Sequence, residues 1–244
     1  MTDMLIFGLG YSALAVAKAC MNQGWTITGT VREQDKAEAL EKAGITTLVF
    51  DGENASDAVR AAIGNAHRIL VSVPPDSEGD PVVRLLGKSV AKMHQDIRWI
   101  GYFSSLGVYG NRNGAWVDET SDLTPSTARG ARRLKAEQDW IKLASETGIP
   151  LSIYRLAGIY GPGRSVIDSL QAGTARRIVK PGQVFNRIHI DDIVRVVMVD
   201  LARQAQQIEI FNVCDDEPAA PADVVAFGAN LMGVEPPPEI PIED

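Results

Sequence analysis

Six residues near the start of the chain carry the clearest chemistry. Gly8-Leu9-Gly10-Tyr11-Ser12-Ala13 has the form GxGxxA, follows a short apolar strand and opens a helix. In that context the spacing cradles the pyrophosphate of a dinucleotide. Gly8 permits the tight turn, Gly10 lets the backbone approach the phosphates with no side chain in the way, and Ala13 is small enough for close helix–strand packing. The helix start at Tyr11 and Ser12 offers free N–H groups and the positive end of its dipole. A glycine-rich turn of purely structural use is the alternative. The strand before it, the helix after it and its N-terminal place favour a dinucleotide site.

The choice of dinucleotide is read at the end of the second strand, about 20 residues on. NAD sites usually place an acid there for the ribose hydroxyls, whereas this chain has Thr30-Val31-Arg32. Arg32 can pair with a 2′-phosphate through a bidentate contact. The competing view makes Arg32 a solvated surface residue beside Glu33, which would then be the expected acid. The expected cofactor is NADP, in preference to NAD. Asp51 is placed to meet the adenine edge, although Asp51-Gly52 reads equally well as a simple turn. Val73 and Pro74, where the fourth strand ends, complete the candidate nucleotide contacts.

Strands expected at Met4–Phe7, Trp25–Val31, Thr46–Phe50, Arg68–Val73, Ile97–Ser104, Leu151–Arg155 and Glu209–Val213 position these groups. Helices expected at Tyr11–Gln23, Gln34–Ala43, Asp57–Ile63, Pro81–Gln95 and Ala128–Thr147 alternate with them. Gly24, Gly44 and Gly148 fall just past helix ends, and Ser56 and Ser126 are placed to cap helix starts. The alternation predicts an α/β fold, a Rossmann doubly wound parallel sheet with a small C-terminal substrate lobe. Residues 1–155 form the NADP-binding domain, with a returning strand at 209–213, and residues 156–244 form the lobe. In the lobe we expect a short helix near Val166–Ala172 and a strand pair near Arg177–Val179 and Val184–Ile188. A helix capped by Asp191 or Asp192 then runs to about Arg203. The last ten residues, EPPPEIPIED, suit only an extended or poorly ordered end.

With 244 residues the chain can bury a core unaided, and its net charge of −7 argues against a nucleic-acid partner. The apolar stretch at the N-terminus is five residues long and runs into glycines, which reads as neither a signal peptide nor a membrane span. Cys20 and Cys214 lie far apart, and Cys20 falls on the apolar phase of a helix, so a buried free thiol and a reducing, cytoplasmic setting are expected. The three histidines show no pairing pattern for a metal.

Five stretches together resemble the extended short-chain dehydrogenase/reductases, the NAD-dependent epimerase/dehydratase family: GLGYSA, SSLGVYG at 104–110, RLAGIYGPG at 155–163, RIHIDDI at 187–193 and FNVCDDEP at 211–218. Within it the chain is most similar to atypical members with a GxGYSA turn. The resemblance implies a reaction centre of Ser or Thr with a Tyr-x-x-x-Lys on the next helix. Ser105 matches the serine and is the catalytic candidate. Aligned on Ala136-Glu137, Arg129 stands where Tyr belongs and Arg133 where Lys belongs, and no Tyr-x-x-x-Lys occurs in the chain. A guanidinium stays protonated near neutral pH and cannot serve as the proton donor. Arg133 can still hold the ribose hydroxyls as Lys does, or lie on a solvated face paired with Glu137. Arg129 can bind an anionic substrate group, but a solvated face is the favoured reading. Tyr109 and Tyr102 are expected to pack, and His189 is an acid–base candidate by residue type but reads first as structural. Trp116 and Asp118-Glu119 lie in a loop that borders the substrate pocket in the family.

The resemblance also implies a small-molecule substrate in the cleft, a polar metabolite such as a nucleotide sugar, handled by an oxidoreductase, epimerase or dehydratase. The alternative is a non-catalytic NADP(H)-sensing binder. Family members continue past the point where this chain stops, so the lobe is expected to be truncated. They often dimerise through helices corresponding to 81–95 and 128–147; here a homodimer would have to accommodate Arg129, Arg132, Arg133 and Lys135.

Overall fold

The computed structural model describes residues 2–204 and 207–242. Seven parallel strands form the central sheet: β1 (Met4–Phe7), β2 (Ile27–Val31), β3 (Thr46–Val49), β4 (Arg68–Val71), β5 (Trp99–Ser105), β6 (Leu151–Leu156) and β10 (Ile208–Val213), in the spatial order β10-β6-β5-β4-β1-β2-β3. The chain runs outward from β1 to β3 and then returns to lay β4 beside β1, with Leu5 opposite Ile69. That reversal leaves a crevice at the carboxyl ends of β1 and β4, where ligands of such sheets bind. The central strands β1 and β4 are almost wholly apolar because helices cover both faces of the sheet.

One core lies beneath α1 (Tyr11–Asn22), α2 (Gln34–Lys42) and α7 (Ile190–Arg203), where Val16, Ala17 and Cys20 meet Ile193, Val197 and Leu201. The opposite core lies beneath α3 (Asp57–Gly64), α4 (Pro81–Lys92) and α5 (Ala128–Thr147), and centres on Phe7, Leu86, Tyr102 and Trp140. Ser56 caps α3 as expected, its hydroxyl accepting from the Val59 amide. Gly24, Gly44 and Gly148 all adopt positive φ past helix ends. The cap of α5 is Thr127 rather than Ser126: its Oγ1 accepts from the Gly130 amide at 3.1 Å.

The lobe departs further from expectation. Short strands β7 (Gly158–Tyr160) and β9 (Arg187–His189) pair with one another, and β8 (Arg177–Val179) pairs with β11 (Glu239–Pro241). The expected pairing of 177–179 with 184–188 does not form. The proline-rich tail is extended, yet it supplies the partner strand, with Arg177 held to Glu239 at 3.0 Å. Glu243 and Asp244, the end of that tail, lie outside the described residues. The cap of α7 is His189, whose Nδ1 accepts from the Asp191 amide at 3.2 Å, not Asp191 or Asp192. Helix α6 (Val166–Gln171) is nearly as expected, whereas α8 (Pro221–Met232) has no counterpart in the sequence reading. No helix among the described residues is long and apolar enough to cross a membrane.

Candidate functional site

The glycine turn stands at the carboxyl end of β1. Gly8 has φ of +86°, and a Cβ there would lie 3.1 Å from Val73 Cγ2, so the turn needs glycine both for its conformation and for its seat on Val73. The Gly8 amide donates to Thr30 Oγ1 at 3.0 Å and the Leu9 amide to the Thr30 carbonyl at 2.8 Å, which ties the turn to β2. At Gly10 the surroundings are open: a Cβ would find nothing nearer than 4.0 Å. Side chains cap α3, α4, α5, α6 and α7, whereas α1, like α2 and α8, has no side-chain cap. The first amides of α1, at Tyr11 and Ser12, therefore have no side-chain cap and lie beside the open hollow at Gly10, at a positive helix end, while Ala13 is fully buried. A pyrophosphate fits those donors and that hollow.

Tyr11 reaches the other way. Its hydroxyl donates to the Pro162 carbonyl at 3.1 Å, and the Arg164 guanidinium lies over its ring, 5.7 Å from the centroid. Ser12 is buried beneath the turn. Arg32 is exposed at the end of β2 and makes no ion pair among the described residues, with Glu33 or any other acid. Asp51 serves its own turn: Oδ1 accepts from the Glu53 and Asn54 amides at 2.8 and 3.0 Å, and these bonds lower its pKa. It also lines an open cavity of about 490 Å³ at the β3 edge, between Gln34 of α2 and Ser56. Val73 is buried against Gly8, and Pro74 is exposed beside it.

Ser105 ends β5, and its hydroxyl accepts from the Gly107 amide at 3.1 Å, which fixes the oxygen and leaves its proton free to donate. Gly107 in turn packs against the first turn of α5, where a Cβ on Gly130 would lie 2.5 Å from the Gly107 carbonyl. Arg133, one turn further along, is half-buried. Its Nη1 donates to the Tyr102 hydroxyl at 3.0 Å and to the Phe103 carbonyl at 2.8 Å. The expected alternative partner, Glu137, is engaged elsewhere, so the i,i+4 pair does not form.

Glu137 anchors a buried network that the sequence reading missed. Its carboxylate accepts from Ser104 Oγ at 2.5 Å and from Arg155 Nη2 at 2.9 Å, with Glu137 only 1% exposed and Arg155 2%. Arg155 Nη1 donates to the Tyr109 hydroxyl at 2.7 Å, and Tyr109 donates to Asn212 Oδ1 at 2.8 Å. The Asn212 amide donates to Glu119 at 2.7 Å, which brings the loop after β5 against β10. Tyr109 thus packs, as its residue class suggests, and Asp118 closes a local turn with Thr120 and Ser121. Trp116 is 85% exposed. One signal for the network was available: Arg155 is a charged residue in line with an otherwise apolar strand, which demands a buried partner.

A second buried acid lies behind Arg133. Asp80 caps α4, its Oδ1 accepting from the Val82 and Val83 amides at 2.8 and 3.2 Å, and it is 1% exposed. Its Oδ2 has no hydrogen-bond partner, nor has the nearby Trp140 Nε1. Burial pushes the carboxyl up to about 6, against the opposing pull of the two amides and Arg133. The unfolded chain releases that proton near pH ~3.9. The proton's stabilising contribution is therefore complete at low pH and is lost as pH rises through the folded-state value, a loss on the order of 3 kcal/mol. Urea unfolding between about pH 4 and 6.5 is expected to show a falling stability in the wild type, relative to a flatter profile in Asp80→Asn. Parallel profiles would contradict this.

No protein-family profile matches the chain. Protein YeeZ of Escherichia coli K12 is 30% identical to it over 254 aligned positions, spanning 97% of this chain and 86% of that protein. A functionally unknown conserved protein from Silicibacter pomeroyi superposes with a TM-score of 0.86 at 44% identity, over 99% of this chain and 82% of that one. UDP-glucuronic acid 4-epimerase from Bacillus cereus, solved with UDP-glucuronic acid and NAD, superposes with a TM-score of 0.77 over 100% of this chain and 87% of its own. At 17% identity that likeness is one of fold.

Proposed function

The chain belongs to the same family as protein YeeZ, to which it is related over nearly its whole length, and from that premise we propose that it is an extended short-chain dehydrogenase/reductase-like protein that binds a nicotinamide dinucleotide, NADP in preference to NAD, and moves hydride at the Ser105 cleft. The observation that carries this reading is the uncapped start of α1 over the open Gly10 hollow. The fold match to an epimerase solved with NAD supports the same class of cofactor. Arg32, exposed and free of ion pairs among the described residues, supports the phosphorylated form.

Bound there, the nicotinamide would supply or accept hydride. The chain's own part is to hold and to move a proton. The amides of Tyr11 and Ser12 would hold the pyrophosphate, and the remaining N–H groups of Arg133 would be available to the ribose hydroxyls. Ser105 Oγ, steadied by the Gly107 amide, donates to the oxygen of a carbonyl substrate and is reprotonated from solvent. The substrate class that suits this cleft is a polar metabolite, a nucleotide sugar included.

Titration with NADPH and NADH tests the cofactor reading. Wild type is expected to prefer NADPH, and Arg32→Asp to reverse the preference, each by about tenfold or more. Equal affinities before and after the change would refute it. A second reading, a redox-sensing binder without turnover, is favoured by the inward bonds of Arg133 to Tyr102 and Phe103 and by the missing tyrosine. NADPH binding without hydride exchange across carbonyl and sugar-nucleotide substrates would select it.

A further inference from the structure

Helix α5 carries a cation that its own packing does not explain. The helix buries Gly130, Ala136, Glu137, Trp140, Leu143 and Ala144. At 100° per residue, Arg129 falls in the middle of that core-facing stripe, level with Ala136 and Trp140. It is nonetheless exposed, because the first turn of α5 runs past the carboxyl end of β5, where Gly130 meets the Gly107 carbonyl beside Ser105. A residue on that stripe in the first turn leaves the helix on the side of the carboxyl end of β5, where Ser105 lies. Arg129 makes no hydrogen bond, ion pair or ring contact among the described residues, in a chain of net charge −7. A cation in the first turn of a helix also opposes the macrodipole. Among its neighbours Arg133 is engaged with Tyr102 and Phe103, Lys135 with Asp139 at 2.7 Å, and Glu137 with Arg155, whereas Arg132, exposed and likewise without such a contact among the described residues, lies off the core-facing stripe.

We propose that Arg129 pairs with an oxyanion of the ligand that occupies the Ser105 cleft, so that this ligand is a small anionic metabolite bearing a carboxylate or a phosphate. The inference rests on the dinucleotide reading for the place of the cleft, and gives the site a substrate class. The guanidinium fork matches either oxyanion through two parallel N–H bonds. Ser105 Oγ–H lies on the same side to orient the rest of the ligand.

Calorimetry on NADPH-loaded protein tests it with oxalate, inorganic phosphate and neutral oxamide. Oxalate or phosphate is expected to bind, the better of the two identifying the oxyanion, while oxamide does not. Arg129→Gln is expected to weaken that binding by about tenfold to a hundredfold, with NADPH affinity unchanged. Absence of binding by both anions, or equal binding to wild type and Arg129→Gln, would overturn the proposal. Should NADPH itself fail to load, the cofactor reading falls separately. The same anion titrations on unloaded wild type and Arg129→Gln then decide the inference by the same criteria.

Discussion

Gly10→Val is expected to lower dinucleotide affinity by at least about a hundredfold while leaving the melting temperature nearly unchanged. The two halves of that expectation have separate causes. Gly10 has φ of −83° and ψ of −170°, an extended conformation that valine adopts readily. The nearest atom to a Cβ there is 4.0 Å away, so the folded chain accepts the branched side chain without a clash. The volume it fills is the hollow at Gly10, beside the Tyr11 and Ser12 amides. A pyrophosphate excluded from it loses two or three charge-assisted hydrogen bonds, each contributing about 1.5–3 kcal/mol. Gly8 would serve poorly for the same test. Its positive φ and its 3.1 Å approach to Val73 mean that any side chain there strains the fold itself. Wild-type affinity in Gly10→Val would place the phosphates elsewhere.

Arg155→Ala is expected to cost about 3–5 kcal/mol of stability, equivalent to a fall in melting temperature of roughly 10 °C for a chain of this size. The guanidinium is 2% exposed and meets Glu137 through three contacts, at 2.9, 3.2 and 3.3 Å. Removing it leaves a carboxylate in the core with only Ser104 to compensate, and takes from Tyr109 the donor that holds its hydroxyl. The Glu137→Leu, Arg155→Leu double variant is expected to recover much of the loss, because replacing both buried charges removes the desolvation cost with the attraction. Chemical denaturation of the three variants measures this. A loss below about 1 kcal/mol in Arg155→Ala would mean the pair is weak or hydrated.

The central sheet was legible because β1, β4 and much of β5 are nearly continuous apolar runs, and most of the strands are separated by stretches of helical periodicity. Strand ends were less so. β4 stops at Val71, two residues short of the expected end, because Ser72 and Val73 turn aside to seat Gly8. The lobe resisted for a different reason. Its strands are three residues long, too short to show a period, and β11 pairs with β8 across some sixty residues of chain. α8 escaped notice because Gly228 interrupts its middle and it has no side-chain cap, although Pro221 at its first turn is a starting signal.

At the site, the glycine turn could be read from local sequence, and Ser105 only through the resemblance to the family. The partners of Arg133 could not. Glu137 is the natural i,i+4 partner on a helix surface, but it lies on the buried face, where Arg155 from the neighbouring strand reaches it first. Asp80 was invisible as an unusual group, since a cap beside a proline looks ordinary until Trp140 and Tyr102 close over it.

The central claim is that the first amides of α1 bind a dinucleotide's linked phosphates, and amide NMR on the intact protein tests it most directly. Addition of NADP is expected to move the Gly10, Tyr11, Ser12 and Ala13 signals in a saturable manner and to slow their exchange with solvent. Those four signals remaining in place at millimolar NADP and NAD would contradict the account.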